Sequence, residues 1–182
     1  MKKLFAAAFF SLLSLTAAAE KADSLKPAGL EYDNADLDGV AGVRTFTGNV
    51  ILTRGTLLVK AERAVVKDTP EGYMSVTLTA ANGKQATFRQ KRDGGPNLWV
   101  EGQAERIEYD ERTELVRLFS NAVVTELEND RMTNQMTGPF ISYDNRKEVV
   151  AVRNDVSGQS KVGGGRGTLI LSPKRPPAGG TQ

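Results

Sequence analysis

A ten-residue pattern that occurs twice constrains this chain most. Ile107, Tyr109, Asp110, Arg112, Glu114 and Val116 return, with unchanged spacing and 34 residues later, as Ile141, Tyr143, Asp144, Arg146, Glu148 and Val150. The Ile-x-Tyr start alternates as a half-buried strand does. The Asp and the polar residues after it favour a reversal, and the apolar pair that follows begins a return strand. Each copy therefore reads as strand, turn, strand. Leu30, Tyr32 and Asp33 give a fainter echo of the same start. Recurrence at such a spacing predicts one supersecondary unit used repeatedly, each copy covering the apolar face of its neighbour.

The rest of the chain is strand and turn almost throughout. Residues 43–53 alternate and place Phe46, Gly48, Val50 and Leu52 on one face. Arg54 and Gly55 mark a reversal. Residues 73–79 alternate and are closed by Asn82 and Gly83, the strongest short hairpin signal. Residues 86–90, 98–102 and 117–127 are further strands, with a turn at 128–131. Phe46 and Val50 can be laid over Phe119 and Val123, which divides the chain into two related halves, one from Leu30 to near Gln103 and one from Ile107 to Val152. After the first residues no segment sustains a 3.6-residue apolar period, so the fold class is all-β: an antiparallel sandwich, jelly roll or open roll of many short strands built from repeated hairpins.

The ends differ from the middle. Two lysines, an apolar run and Ala17-x-Ala19 make residues 1–19 a cleavable secretory signal peptide, and the run is too short for a membrane span of about 20 residues. Residues 20–27 are polar and read as a flexible N-terminus. Residues 28–156 carry the β-roll domain, and 157–182 a Gly/Pro-rich tail, mobile in its glycine stretch, with one last strand at 168–172. Periplasm is the expected location.

Composition narrows the chemistry. The 182 residues include no Cys and no His, which removes disulfides, thiolate catalysis, Ser-His-Asp triads and the commonest metal ligand. With the leader gone, Lys2 and Lys3 go too, and 22 of the 24 basic residues face 22 acidic ones. That balance argues against a nucleic-acid partner. Glu108 and Asp110 share a strand face as a glycosidase pair might, but they flank Ile107 and Tyr109 and read better as a solvated charged face. The glycine-rich stretch 163–167 lacks the Lys-Ser/Thr ending of a phosphate loop. No catalytic residue, metal or cofactor is expected.

Apolar excess is more informative. Residues 50–52, 57–59, 115–119, 149–150 and 169–171 carry hydrophobics on both strand faces. A sheet wet on one side would alternate strictly, so either both sides are dry or one faces an apolar ligand. A two-layer sandwich with a filled core and an open roll with a greasy inner face both satisfy this.

Residues 45–50 (Thr-Phe-Thr-Gly-Asn-Val), Gly55, Ala86-Thr87-Phe88, Val100 to Gly102 before Ile107 and Tyr109, and Gly138 before Ile141 and Tyr143 carry a resemblance. On these the sequence resembles the OstA-like family, the LptA-type periplasmic bridge proteins of lipopolysaccharide export, over residues 28 to about 152. The resemblance implies a V-shaped open jelly roll whose interior holds lipid A acyl chains, and head-to-tail self-association. It also implies contact with an LptC-like inner-membrane-anchored protein and the N-terminal domain of an LptD-like outer-membrane protein. On this reading Phe46, Val50, Leu52, Phe88, Ile107, Phe119, Val123 and Ile141 line the groove, and Arg44, Lys60 and Arg117 at the rim are candidate phosphate contacts. A β-roll that binds no lipid and only scaffolds envelope proteins is the alternative.

Overall fold

The computed structural model describes Asp23, residues 25–81 and residues 83–173; residues 1–22, Ser24, Asn82 and residues 174–182 lie outside the described residues, and the expected signal peptide with them. Among the described residues there are twelve strands: β1 (Ala28–Glu31), β2 (Asn34–Asp38), β3 (Val43–Arg54), β4 (Leu57–Asp68), β5 (Met74–Thr79), β6 (Ala86–Lys91), β7 (Leu98–Ala104), β8 (Arg106–Asp110), β9 (Leu115–Glu128), β10 (Arg131–Asp144), β11 (Val149–Arg153) and β12 (Thr168–Leu171). Every pairing is antiparallel. The fold is an all-β jelly roll.

Four long strands, β3, β4, β9 and β10, belong to two layers at once. Their one half pairs with β1, β6, β7 and β12 to give an upper layer, and their other half with β2, β5, β8 and β11 to give a lower one. The layers meet along a crease where the long strands bend. Between Phe46↔Ala64 and Val50↔Ala61, β3 has three residues and β4 has two. Between Leu118↔Ile141 and Ala122↔Gly138, β9 has three and β10 has two. The surplus is carried by left-handed residues, Gly48 and Asn49 (φ 79° and 47°) in β3, Ser120 and Asn121 (φ 63° and 52°) in β9. An extra residue in one strand of a pair bends that strand and sharpens the twist, which is what turns the corner.

Each layer presents one apolar row to the inside. In the upper layer Leu30, Leu52, Val59, Phe88, Gly102, Val124 and Met136 stand in register across the strands. In the lower layer Phe46, Ala64, Leu78, Ile107, Leu118, Ile141 and Val152 do the same. The two rows meet in a single hydrophobic cluster. Gly102 is required by this packing, because the Phe88 ring lies across it and a Cβ there would overlap the ring.

The repeated pattern forms the β8–β9 and β10–β11 hairpins, as its spacing predicts. Ile107 and Ile141 both pair with Leu118, and Tyr109 and Tyr143 both pair with Val116, so the two copies embrace one strand. In each turn the Asp collects hydrogen bonds from residues ahead. Asp110 Oδ1 accepts from Thr113 N and Oγ1, both 2.8 Å, and Asp144 Oδ1 accepts from Arg146 N and Lys147 N, both 3.1 Å. The repeat's Glu then closes the turn in the left-handed region, Glu114 at φ 53° and Glu148 at φ 52°. The turns also bind each other, Arg146 Nε donating to Glu114 Oε1 at 3.1 Å.

Two expectations fail. Asn82 itself is outside the described residues, but β5 and β6 do not pair, so no hairpin is closed there. β5 pairs with β4 at 63–68 and β6 with β4 at 58–60, on opposite sides of the crease. The intervening chain crosses between layers, because β4 already supplies an edge to both. The glycine-rich stretch is likewise no free linker. Asn154 bonds both N and O of Lys161 (2.8 and 2.7 Å), Gly165 N reaches Asn154 O (2.8 Å), and Gly158 packs on the Phe140 ring.

Hydrogen bonds from Thr113 hold the Asp110 carboxyl below the usual carboxylate range, and bonds from Lys147, side chain first, do the same for Asp144. A depressed carboxyl stabilises the fold above its unfolded value of about 3.9 and loses that contribution as pH falls through the folded value. Asp110→Ala/Asp144→Ala is therefore expected to unfold at lower urea than wild type at pH 7, with the gap narrowing below about pH 4. A gap that persists unchanged at pH 3 would refute this role.

Candidate functional site

Between the two apolar rows lies a slit-like cavity of ≈ 100 Å³. Leu52, Leu57, Val59 and Phe88 line it from the upper layer, and Val76, Leu78, Ile107, Tyr109 and Val116 from the lower. Its walls are apolar because each residue occupies the inward position of its strand. Its mouth is polar. Arg54 and Gln90 stand on the upper lip, and Glu111, Glu114 and Asn145 on the lower.

The lips touch through charge. Arg54, at the end of β3, donates from Nε to Lys26 O at 3.0 Å, and its Nη1 lies 3.6 Å from Glu111 Oε1 in the β8–β9 turn. Glu111 is held in place because its other oxygen accepts Met74 N at 2.9 Å. Further along, Arg92 sits between Glu126 of its own layer (3.6 Å) and Glu148 of the β10–β11 turn opposite (3.3 Å). Burial works against charge on Arg92, but Glu126, Tyr143 and Glu148 outweigh it and raise its pKa. Burial raises the Tyr109 hydroxyl pKa, Glu114 adding to it and Arg54 opposing it. Arg92 Nε and Asn145 Oδ1 are buried without a hydrogen-bond partner.

Of the groove residues expected from sequence, Phe46, Val50, Phe88, Ile107 and Ile141 are buried in the common core and Leu52 packs against it. Phe119 and Val123 are corrected: they stand on the outer face of β9, whose inward residues are Leu118, Ala122 and Val124. Phe119 meets Phe140 edge-on at 5.1 Å, under the Arg106 guanidinium. The left-handed pairs show why. Gly48-Asn49 corresponds to Ser120-Asn121, so Phe46 corresponds to Leu118 and Val50 to Ala122. Matching phenylalanine to phenylalanine is one residue out of register, and one residue inverts the face.

The three rim cations do not converge. Arg44 is bonded to Asp68 at the far end of β3. Lys60 is exposed, in register with Ile51 and Thr87, and Arg117 is in register between Glu108 and Ser142 on the outer face of β9. Glu108 lies beside Arg106 at 3.4 Å and Asp110 caps its turn, so that carboxylate pair is structural. Sequence reasoning missed Arg54, Arg92, Val59, Leu78 and Leu118. The alternation of Leu57 and Val59 was a usable signal for one of them. The arginines gave none.

The fold and its interior define an open β-roll with an apolar slit between two layers. Residues 30–149 match the family described as LptA/(LptD N-terminal domain) LPS transport protein. The chain belongs to this family of lipopolysaccharide transport proteins. It is similar to the lipopolysaccharide export system protein LptA of Haemophilus influenzae, with 31% identity over 95% of this chain and 92% of that protein. LptA of Escherichia coli K12 is 35% identical over 68% of this chain and 65% of that one. The crystal structure of LptH, the LptA-homologous periplasmic component of the lipopolysaccharide transport device of Pseudomonas aeruginosa, has the same fold. The TM-score is 0.69 at 22% identity, covering 83% of this chain and 99% of that one.

Leu118 is fully buried between both Ile-x-Tyr copies, whereas Phe119 lies on the outer face. Leu118→Ala is expected to cost about 2–5 kcal/mol, and Phe119→Ala clearly less, in urea unfolding. Equal losses would contradict the face assignment.

Proposed function

We propose that the chain carries lipopolysaccharide through the periplasm without chemistry of its own, holding lipid A acyl chains between its layers and bridging the inner- and outer-membrane parts of the export path. The observation that supports this best is the slit itself: two facing apolar rows that end at a charged lip. Acyl chains match the rows, and each methylene withdrawn from water contributes about 0.8 kcal/mol. Leu52, Phe88 and Ile107 line the slit, with Phe46, Val50 and Ile141 deeper in the same core. The leader at 1–19 delivers the mature chain to the periplasm.

The ends of the roll supply the bridge. β1 and β2 border it on one side, β11 and β12 on the other, and each pairs with a single neighbour. Leu169, Ile170 and Leu171 on β12 are 57%, 45% and 66% exposed. Free edges with apolar side chains accept a further strand. Head-to-tail contact between copies, and with LptC-like and LptD-like partners, would extend one trough from roll to roll. The narrowness of the slit favours a second reading, a roll that stays shut and only scaffolds.

Photo-reactive residues at Leu52, Val116 and Val123, irradiated with lipopolysaccharide, separate the two. Adducts are expected at Leu52 and Val116 and not at Val123. Adducts at Val123 alone, or none anywhere, would reject the conduit.

A further inference from the structure

Asp23 and Leu25 reverse the usual partition between water and interior. The carboxylate is 3% exposed and the leucine 87%. A buried carboxylate is costly unless it is hydrogen-bonded, and a chain end is poorly ordered unless something ties it down. Both needs are met at one place, the turn between β3 and β4. Thr56 Oγ1 donates to Asp23 Oδ2 at 2.5 Å and itself accepts Lys91 N at 3.1 Å. Gly55 leaves the room, since a Cβ there would lie 1.8 Å from Asp23 Oδ1. The turn is a seat that this carboxylate fills.

From the seat the segment runs along the mouth of the slit. Lys26 N donates to Asp23 O at 3.0 Å, and Lys26 O accepts Arg54 Nε at 3.0 Å. Arg54 in turn faces Glu111 of the lower layer at 3.6 Å. Asp23 and Ala28 both line the slit. A polar line therefore crosses the mouth, from Thr56 through Asp23, Lys26 and Arg54 to Glu111. The space behind it, ≈ 100 Å³, is the share of about three waters, whereas ligand pockets measure roughly 300–1,000 Å³. An acyl chain enters only if something at the mouth moves. The N-terminal segment is suited to move, because hydrogen bonds that water can replace hold it and Leu25 adds little burial. We propose that the segment from Asp23 to β1 is a strap that keeps the slit shut, latched by the Asp23 carboxylate in the Gly55-Thr56 turn, and that it lifts as lipid enters. This rests on the lipid-conduit reading above and adds to it a control of entry.

The chain has no cysteine, so a nitroxide on Leu25→Cys in the full mature chain reads the strap. A photo-reactive residue at Val116, on the lower wall of the slit, reads entry. Lipopolysaccharide is expected to mobilise the label. Asp23→Ala and Gly55→Ala should each mobilise it without lipid and speed adduct formation at Val116 roughly tenfold, about what one hydrogen bond to a charged group contributes. The two together should gain no more than either alone, because they break one contact. Asp23→Asn keeps an oxygen for Thr56 and should behave as wild type. A label unmoved by lipopolysaccharide, with adducts forming at one rate in every form, overturns the strap and leaves the conduit standing. Asp23→Asn as fast as Asp23→Ala overturns the Thr56 bond as the latch. Adducts in no form overturn the conduit and the strap together. The label on Leu25 needs no change at the seat, so the proposal stays falsifiable even if Gly55→Ala does not fold.

Discussion

The surplus residue where β3 and β9 cross the crease governs this molecule. Three residues opposite two, twice over, oblige both strand pairs to bend at the same height. Without that bend the long strands would continue as one flat sheet, with half its apolar side chains in water. With it, the same strands supply both walls of the interior, and no separate domain interface is needed to bring them together. The left-handed pairs are the local cost, borne by Gly48, Asn49 and Asn121, residue types that tolerate that region well, and by Ser120, which does not share that preference.

Everything with functional meaning follows from having two walls and one fold line. Inward positions near the crease are sealed, as Val50, Leu118, Ile141 and Ala64 show by their burial. Toward the free margin polar residues join the apolar ones. Arg54, Gln90, Glu126 and Asn134 lie along the upper margin, with Leu57 and Val100 interleaved between the first three, while the turns of the repeat supply carboxylates to the lower. A gradient from grease to charge across one short slit is what an amphipathic ligand calls for, and it needs no catalytic group.

Much of this could be read from the residues alone. The Ile-x-Tyr-Asp repeat announced its hairpins because strand, turn and return are all local signals. The inward place of Phe46, Ile107 and Ile141 followed from alternation. Phe119 and Val123 were lost to a one-residue slip, since chemical likeness (Phe with Phe) competed with backbone likeness (Gly-Asn with Ser-Asn) and the latter is set by φ. The Asn82-Gly83 signal misled because turn propensity says nothing about which strand already occupies the neighbouring edge. Arg92 and Glu148 are 56 residues apart, and only the pairing of layers makes them neighbours. Long-range charge pairs of this sort leave no trace in a local pattern.

The two borders of the roll are chemically unlike: a strand broken at Asp33 on one side, two separate strands from a folded-back glycine loop on the other. A contact that joined unlike borders would be heterologous, with no two-fold axis, and unless its rotation closed a ring it would grow as an open filament. Such a filament would have polarity. Every unit in it would face the same way, so whatever capped each terminus would impose a one-way sense although all the links between were identical.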